Sequence, residues 1–200
     1  MGGGGDSRIP GLLKGLFPEE ELRVIIRTYD FDPETGHAQI ASWVEETRPD
    51  LVIGESLGSV QALRVRGLPH LYVSPSLGAP RQLARAAWLT LLPGGSWALH
   101  RKYPVKEGDR QPLKFSWKVL RKYREHGRDA FAAAREGGSH FAFFGKYDHF
   151  MASGVVSLAI WRSLFGEGTY QMYDGTHFME EEFVRDLLVP KIREVLDLKK

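Results

Sequence analysis

Apolar positions in this chain follow two alternating patterns. Short, nearly unbroken apolar runs fall at residues 23–29, 51–55, 68–74, 139–144 and 169–173, each ended by a Gly, Pro or Asp turn signal. Runs of this length bounded by such residues predict strands buried on both faces. Between them, apolar residues recur three and four apart at 37–47 (Ile40, Ala41, Trp43, Val44), 57–66, 155–165 and 180–198, which predicts helices. In the last of these, Phe183, Leu187, Leu188, Ile192, Val195 and Leu196 share a face, and Pro190 is expected to kink or divide it. Strands alternating with helices predict an α/β fold, a mostly parallel sheet covered by helices on both faces.

One connection breaks the rhythm. The third and fourth strands are separated by about 60 residues, far more than a crossover needs. Residues 81–92, 113–126 and 129–136 read as helices, with loops at 93–95 and 107–112. The expected organisation is one domain over 1–200, with 81–136 as a helical cap beside the strand ends. The aromatic residues Trp88, Trp97, Phe115 and Trp117 would form either the core of that cap or an apolar pocket for a substrate.

Composition narrows the class. A 200-residue chain with 42% hydrophobic and 26% charged residues suits a single globular core. No apolar run is long enough to cross a bilayer. The first residues carry neither a basic nor an apolar signal segment. A cytoplasmic location is expected. Without cysteine, disulfides, thiol nucleophiles and thiolate metal ligands are excluded. The seven histidines show no metal-ligand spacing, so neither metal nor cofactor is expected. The net charge of +2 conceals an asymmetry: residues 98–136 hold eleven basic and five acidic residues, and the remainder is net negative. Such a basic insert is either a solvated helix face or a surface for an anionic or protein partner. No nucleic-acid partner is expected.

The chemistry begins at Gly54-Glu55-Ser56-Leu57-Gly58, which lies between a predicted strand and a predicted helix. G-x-S-x-G in that setting makes a sharp turn that presents a serine hydroxyl, and glycines are expected at 54 and 58 because a Cβ would collide there. The Leu57 N–H, opening the helix, would face a developing oxyanion. Taken alone, the pentapeptide fits equally a small N-cap residue on a βα turn. Asp148 follows the fourth strand in Phe143-Phe144-Gly145-Lys146-Tyr147-Asp148, and His177 follows the fifth in Tyr173-Asp174-Gly175-Thr176-His177. A serine needs a base to take its proton, and the base needs a carboxylate to fix its tautomer. His149 and Asp174 are the neighbouring decoys. Residues 2–5, four glycines, offer backbone N–H groups from Gly2 or Gly3 as a second oxyanion donor; a flexible start or a phosphate cradle is the alternative, and no Gly-Lys-Ser/Thr follows to make a P-loop.

Together GGGGDSR, GESLGS, FFGKYDHF and YDGTHF resemble the small serine hydrolases of the α/β-hydrolase superfamily, especially the compact family that includes a retinoblastoma-binding member. The resemblance spans nearly the whole chain, leaving 81–136 unmatched. It implies Ser56 as nucleophile, His177 as general base and acid, Asp148 as orienting carboxylate, and Leu57 with the glycine loop as oxyanion hole. The implied activity is cleavage of a small-molecule carboxylic ester or thioester; a binding module with little turnover and an acyltransferase are the alternatives. In that superfamily a strand precedes the oxyanion loop and lies between the strands assigned here to 23–29 and 51–55. The expectation is that the reading frame continues upstream of Met1 and encodes it; otherwise the sheet has a gap.

Overall fold

The computed structural model describes residues 3–104 and 107–198. Its sheet contains four parallel strands in the order β1 (Val52–Glu55), β2 (His70–Val73), β3 (His140–Gly145) and β4 (Tyr170–Tyr173). The registers pair Glu55 with Val73, Val73 with Phe143, and Gly145 with Tyr173, so the C-terminal ends of all four strands meet along one edge.

Strand order that steps in one direction places right-handed crossovers on one face. The connecting helices accordingly share that face: α3 (Gly58–Ala62) between β1 and β2, α6 (Trp117–Ala134) between β2 and β3, and α7 (Leu158–Phe165) between β3 and β4. There Val60, Leu63, Ala130, Ala134 and Trp161 pack on Tyr72, Ala142 and Phe144. The opposite face belongs to the two ends of the described chain. Leu71, Val73 and Phe143 meet Ile9 and Leu13 of α1 (Arg8–Leu16) and Val184, Leu188 and Ile192 of the C-terminal helix. Alternate strand residues therefore enter two different cores, and all four residues of β2 are buried.

The insert folds as α4 (Ala79–Ala86), a 3₁₀ turn (Ala87–Leu91), α5 (Gly95–Lys102) and α6. It makes a third core in which Phe115, Leu120 and Tyr123 surround Phe31, with Leu57 packed at its edge. Ser116 caps α6 by accepting from the Val119 N–H at 3.3 Å, and Asp32 caps α2 (Pro33–Thr47) from Glu34 and Thr35.

Three expectations about the elements are corrected. Residues 23–29 form no regular element and lie outside the sheet. Their β-branched residues favour a strand, yet a strand exists only where a neighbour accepts its hydrogen bonds, and no described strand lies beside them. Instead Val24 packs into the first core, while Arg27 pairs with Glu46 at 2.6 Å and lies over Trp43. The helix expected over 57–66 is shorter, Gly58–Ala62. The two helices expected at 113–126 and 129–136 are one, because Gly127 is tolerated inside α6, where Pro80 of α4 fills the space a Cβ would need. Residues 95–102 and 8–16 are helices that the pattern did not reveal. Pro190 divides the last helix without breaking it: α8 (Glu181–Phe183) widens into a π turn (Val184–Leu188) before α9 (Val189–Val195) resumes. The wider turn accommodates the absent proline N–H.

Two histidines inside this fold link stability to pH. His70, 2% exposed and stacked on His140 at 4.9 Å, has its pKa lowered to about 4, first by burial and then by His140. His126, against Arg64, is lowered to about 3, again chiefly by burial. Below the ordinary value near 6.5 the unfolded chain binds protons that the folded chain refuses. Stability is therefore complete above that value and falls as pH drops toward 4, by about 1.4 kcal/mol per pH unit for each site. Urea unfolding at pH 7 and pH 5 checks this: the midpoint should be clearly lower at pH 5, and equal midpoints would refute it.

Candidate active site

The strand-end edge carries one hydrogen-bonded relay. Ser56 sits between β1 and α3 with a φ of 51°, a left-handed conformation that costs a non-glycine residue about 1–2 kcal/mol. Three backbone bonds hold it there: its N–H donates to Val73, and its carbonyl accepts from Ser59 and Ser76. Gly54 is required beneath the turn, since a Cβ would come within 2.8 Å of the Ser59 Cα and 3.0 Å of the Ala62 Cβ. Gly58 is not required in the same sense. A Cβ there would meet only the Tyr29 hydroxyl, at 3.4 Å, an ordinary van der Waals contact.

His177 Nε2 lies 2.9 Å from Ser56 Oγ, and His177 Nδ1 lies 2.8 Å from Asp148 Oδ2. A carboxylate only accepts, so Nδ1 carries the hydrogen and Nε2 is left to accept from the Ser56 hydroxyl. Asp148 and His177 are 4% and 2% exposed. The second oxygen of Asp148 accepts from the Phe150 N–H at 2.8 Å, which fixes the carboxylate plane. The Phe150 and Phe178 rings meet the His177 ring edge to face at 4.7 and 5.2 Å and hold its orientation.

Two loops must approach closely for this relay to form. Lys146 N–H donates to Tyr173 and Tyr147 N–H to Gly175, which ties the loop after β3 to the loop after β4. Gly145 permits it, since a Cβ there would overlap the Thr176 and Gly175 carbonyl oxygens. The histidine loop is braced further by the Tyr173 hydroxyl on the Thr176 carbonyl (2.8 Å) and by Thr176 Oγ1 on Glu180 (2.8 Å). Gly145→Ala is expected to push the two loops apart, at a cost of about 1–3 kcal/mol in stability, and to misalign Asp148 from His177. Denaturant unfolding and the rate of covalent labelling at Ser56 measure the two effects; an unchanged labelling rate would show that the approach is not needed.

The decoys lie apart from the relay. Asp174 pairs with Lys146 at 2.8 Å, exposed on the surface. The His149 ring lies tilted against Phe150 at 4.0 Å, with its centre 6.1 Å from that of His177. Leu57 is the N-cap of α3, and no hydrogen bond between described residues takes up its N–H. Gly2 lies outside the described residues. Gly3 accepts from Gln111 N–H through its carbonyl, while the N–H groups of Gly4 and Gly5 are taken by Ser7 and Thr28 hydroxyls at 3.0 and 2.9 Å. Of the aromatic set in the insert, Phe115 is core and Trp117 packs against that core, whereas Trp88 and Trp97 are about two-thirds exposed.

One participant had no sequence signal. Ser76, after β2, places its hydroxyl 3.2 Å from that of Ser56 and its N–H on the Ser56 carbonyl. With the Ser56 hydrogen directed at His177, Ser76 donates and Ser56 Oγ accepts. Only the parallel pairing of β1 with β2 brings them together.

No protein-family model matches the chain, and no curated protein matches it in sequence. Among solved structures, one of the metagenome-derived lipolytic enzymes LipS and LipT superposes with a TM-score of 0.52 at 14% identity, over 82% of this chain and 74% of that one. A carboxylesterase of the ammonia-oxidizing thaumarchaeon Nitrososphaera gargenis (TM-score 0.47, 14% identity, 85% and 74% of the two chains) is also similar, as is E-2-(acetamidomethylene)succinate hydrolase (0.46, 18%, 84% and 74%). Four parallel strands, helices on both faces and a helical insert make this the α/β-hydrolase fold. No helix among the described residues is long and apolar enough to cross a membrane.

Proposed function

We propose that the chain is a serine hydrolase that cleaves a carboxylic ester or thioester through an acyl-enzyme on Ser56. The observation that carries this reading is the relay itself: Ser56 Oγ, His177 and Asp148 joined by hydrogen bonds of 2.9 and 2.8 Å at one strand edge. His177 takes the serine proton as Oγ attacks the carbonyl carbon, and Asp148 stabilises the imidazolium that forms. The Leu57 N–H, with Gly3 or Gly2, receives the negative charge on the carbonyl oxygen. Collapse of the tetrahedral intermediate expels the alcohol or thiol, which takes its proton from His177. Water, activated by the same imidazole, then releases the acid and restores Ser56. None of these steps calls for a metal or cofactor.

A fluorophosphonate probe tests the proposal, because it reacts with an activated serine and spares an ordinary one. The expected result is a single adduct on the peptide containing Ser56, with turnover of p-nitrophenyl esters whose chain-length profile reports the acyl preference. No adduct and no ester turnover would overturn it and leave a hydrolase fold used for binding.

A further inference from the structure

The insert presents an apolar surface that no described residue covers. Of the eight large hydrophobic side chains exposed among the described residues, five lie within ten positions: Trp88, Leu89, Leu91, Leu92 and Trp97, between 49% and 66% exposed. They occupy the 3₁₀ turn after α4, the Pro93-Gly94 bend and the first turn of α5. Isolated exposed leucines are ordinary, but five such side chains within ten residues, two of them tryptophans, mark a contact surface.

The charges on its own segment have one sign. Arg81, Arg85, Arg101 and Lys102 are exposed on the same segment, and no acidic residue occurs in the sequence between Glu55 and Glu107. The Arg101 guanidinium lies 5.4 Å from the centre of the Trp97 ring. The Trp88 ring meets Trp117 at 4.6 Å, and exposed Lys118 and Arg121 follow one turn along α6.

We propose that this face docks onto an anionic lipid surface, with the tryptophans and leucines entering the boundary between headgroups and acyl chains and the cations reaching lipid phosphates. Tryptophan suits that boundary, and an apolar patch rimmed with Lys and Arg binds there in proportion to its buried area and the lipid charge. A second copy of the chain fits poorly, since a symmetric contact would set Arg85 and Arg101 near their own copies. A protein partner would have to supply a pocket for each of several side chains that stand clear of the surface, whereas acyl chains deform around them. Leu57 packs against the edge of the insert's core, so docking would bring the strand-end edge close to the lipid surface. The proposal goes beyond the hydrolase reading and does not rest on it.

The test is co-sedimentation of the full chain with vesicles at low salt, where headgroup charge is least screened. Vesicles of equimolar phosphatidylglycerol and phosphatidylcholine are compared with vesicles of phosphatidylcholine alone. The expected result is binding to the anionic vesicles at least ~10-fold tighter than to the neutral ones, with a blue shift of tryptophan emission. The triple variant Leu91→Ser/Leu92→Ser/Trp97→Ser, whose positions are exposed, should keep the wild-type melting curve and lose at least ~10-fold in vesicle affinity. Arg85→Gln/Arg101→Gln should narrow the difference between the two lipid compositions. Wild-type protein that stays in the supernatant with both vesicles overturns the proposal, as does a triple variant that binds like wild type. So does a dimer that the triple variant abolishes while neither form binds vesicles, which would assign the face to a second copy.

Discussion

Ser56→Ala is expected to remove ester turnover and fluorophosphonate labelling together while the chain still folds. The change deletes one oxygen from a half-buried turn and leaves intact the backbone bonds from Ser56 to Val73, Ser59 and Ser76. Loss of a nucleophile that acts as one unit with its base costs on the order of 10⁶-fold in kcat, about 8 kcal/mol of transition-state stabilisation. Mass mapping of labelled peptides gives the check its edge, because Ser76 Oγ lies only 3.2 Å away. Labelling that persists in Ser56→Ala, on Ser76 or elsewhere, would show that the serine at the elbow is not the nucleophile.

The second large effect belongs to the carboxylate. Asp148→Asn should lower turnover by about 10⁴-fold, because an amide at this position favours the wrong imidazole tautomer and cannot stabilise an imidazolium. Asp174→Asn should change turnover little, since Asp174 is exposed and bound to Lys146; such surface pairs are worth ~0–1 kcal/mol. Side-by-side steady-state kinetics of the two variants decide the matter. If Asp174→Asn were the more damaging, the orienting acid would have to be reassigned even with Ser56 retained as nucleophile.

The residues that meet at the site were legible for a local reason. Each sits where a short apolar run stops at a glycine-bearing turn, and parallel strands put all such turns on one edge. Ser56, Asp148 and His177 could therefore be placed together by counting strands, without knowing how the sheet twists. Ser76 could not, because nothing near Pro75-Ser76 marks it; its position depends on β2 lying directly beside β1 in register. The brace on the histidine loop, from Tyr173 and Glu180, was hidden for the same reason.

The limits of the pattern are clearest at residues 23–29. Val24, Ile25 and Ile26 carry the side chains of a strand, but sheet membership belongs to a pair of segments and no single run can encode it. In the insert, apolar spacing indicated helices without revealing which apolar residues would be left outside. Phe115 and Trp97 look alike in sequence, yet one is core and the other is surface. Periodicity and turn chemistry by themselves determined the α/β class, five strand candidates of which four pair, and the chain order of Ser56, Asp148 and His177. Which hydrogen bonds join them, which strand candidate stays unpaired and which aromatic side chains face solvent were decided only by tertiary structure, because each depends on contacts between residues far apart in the chain.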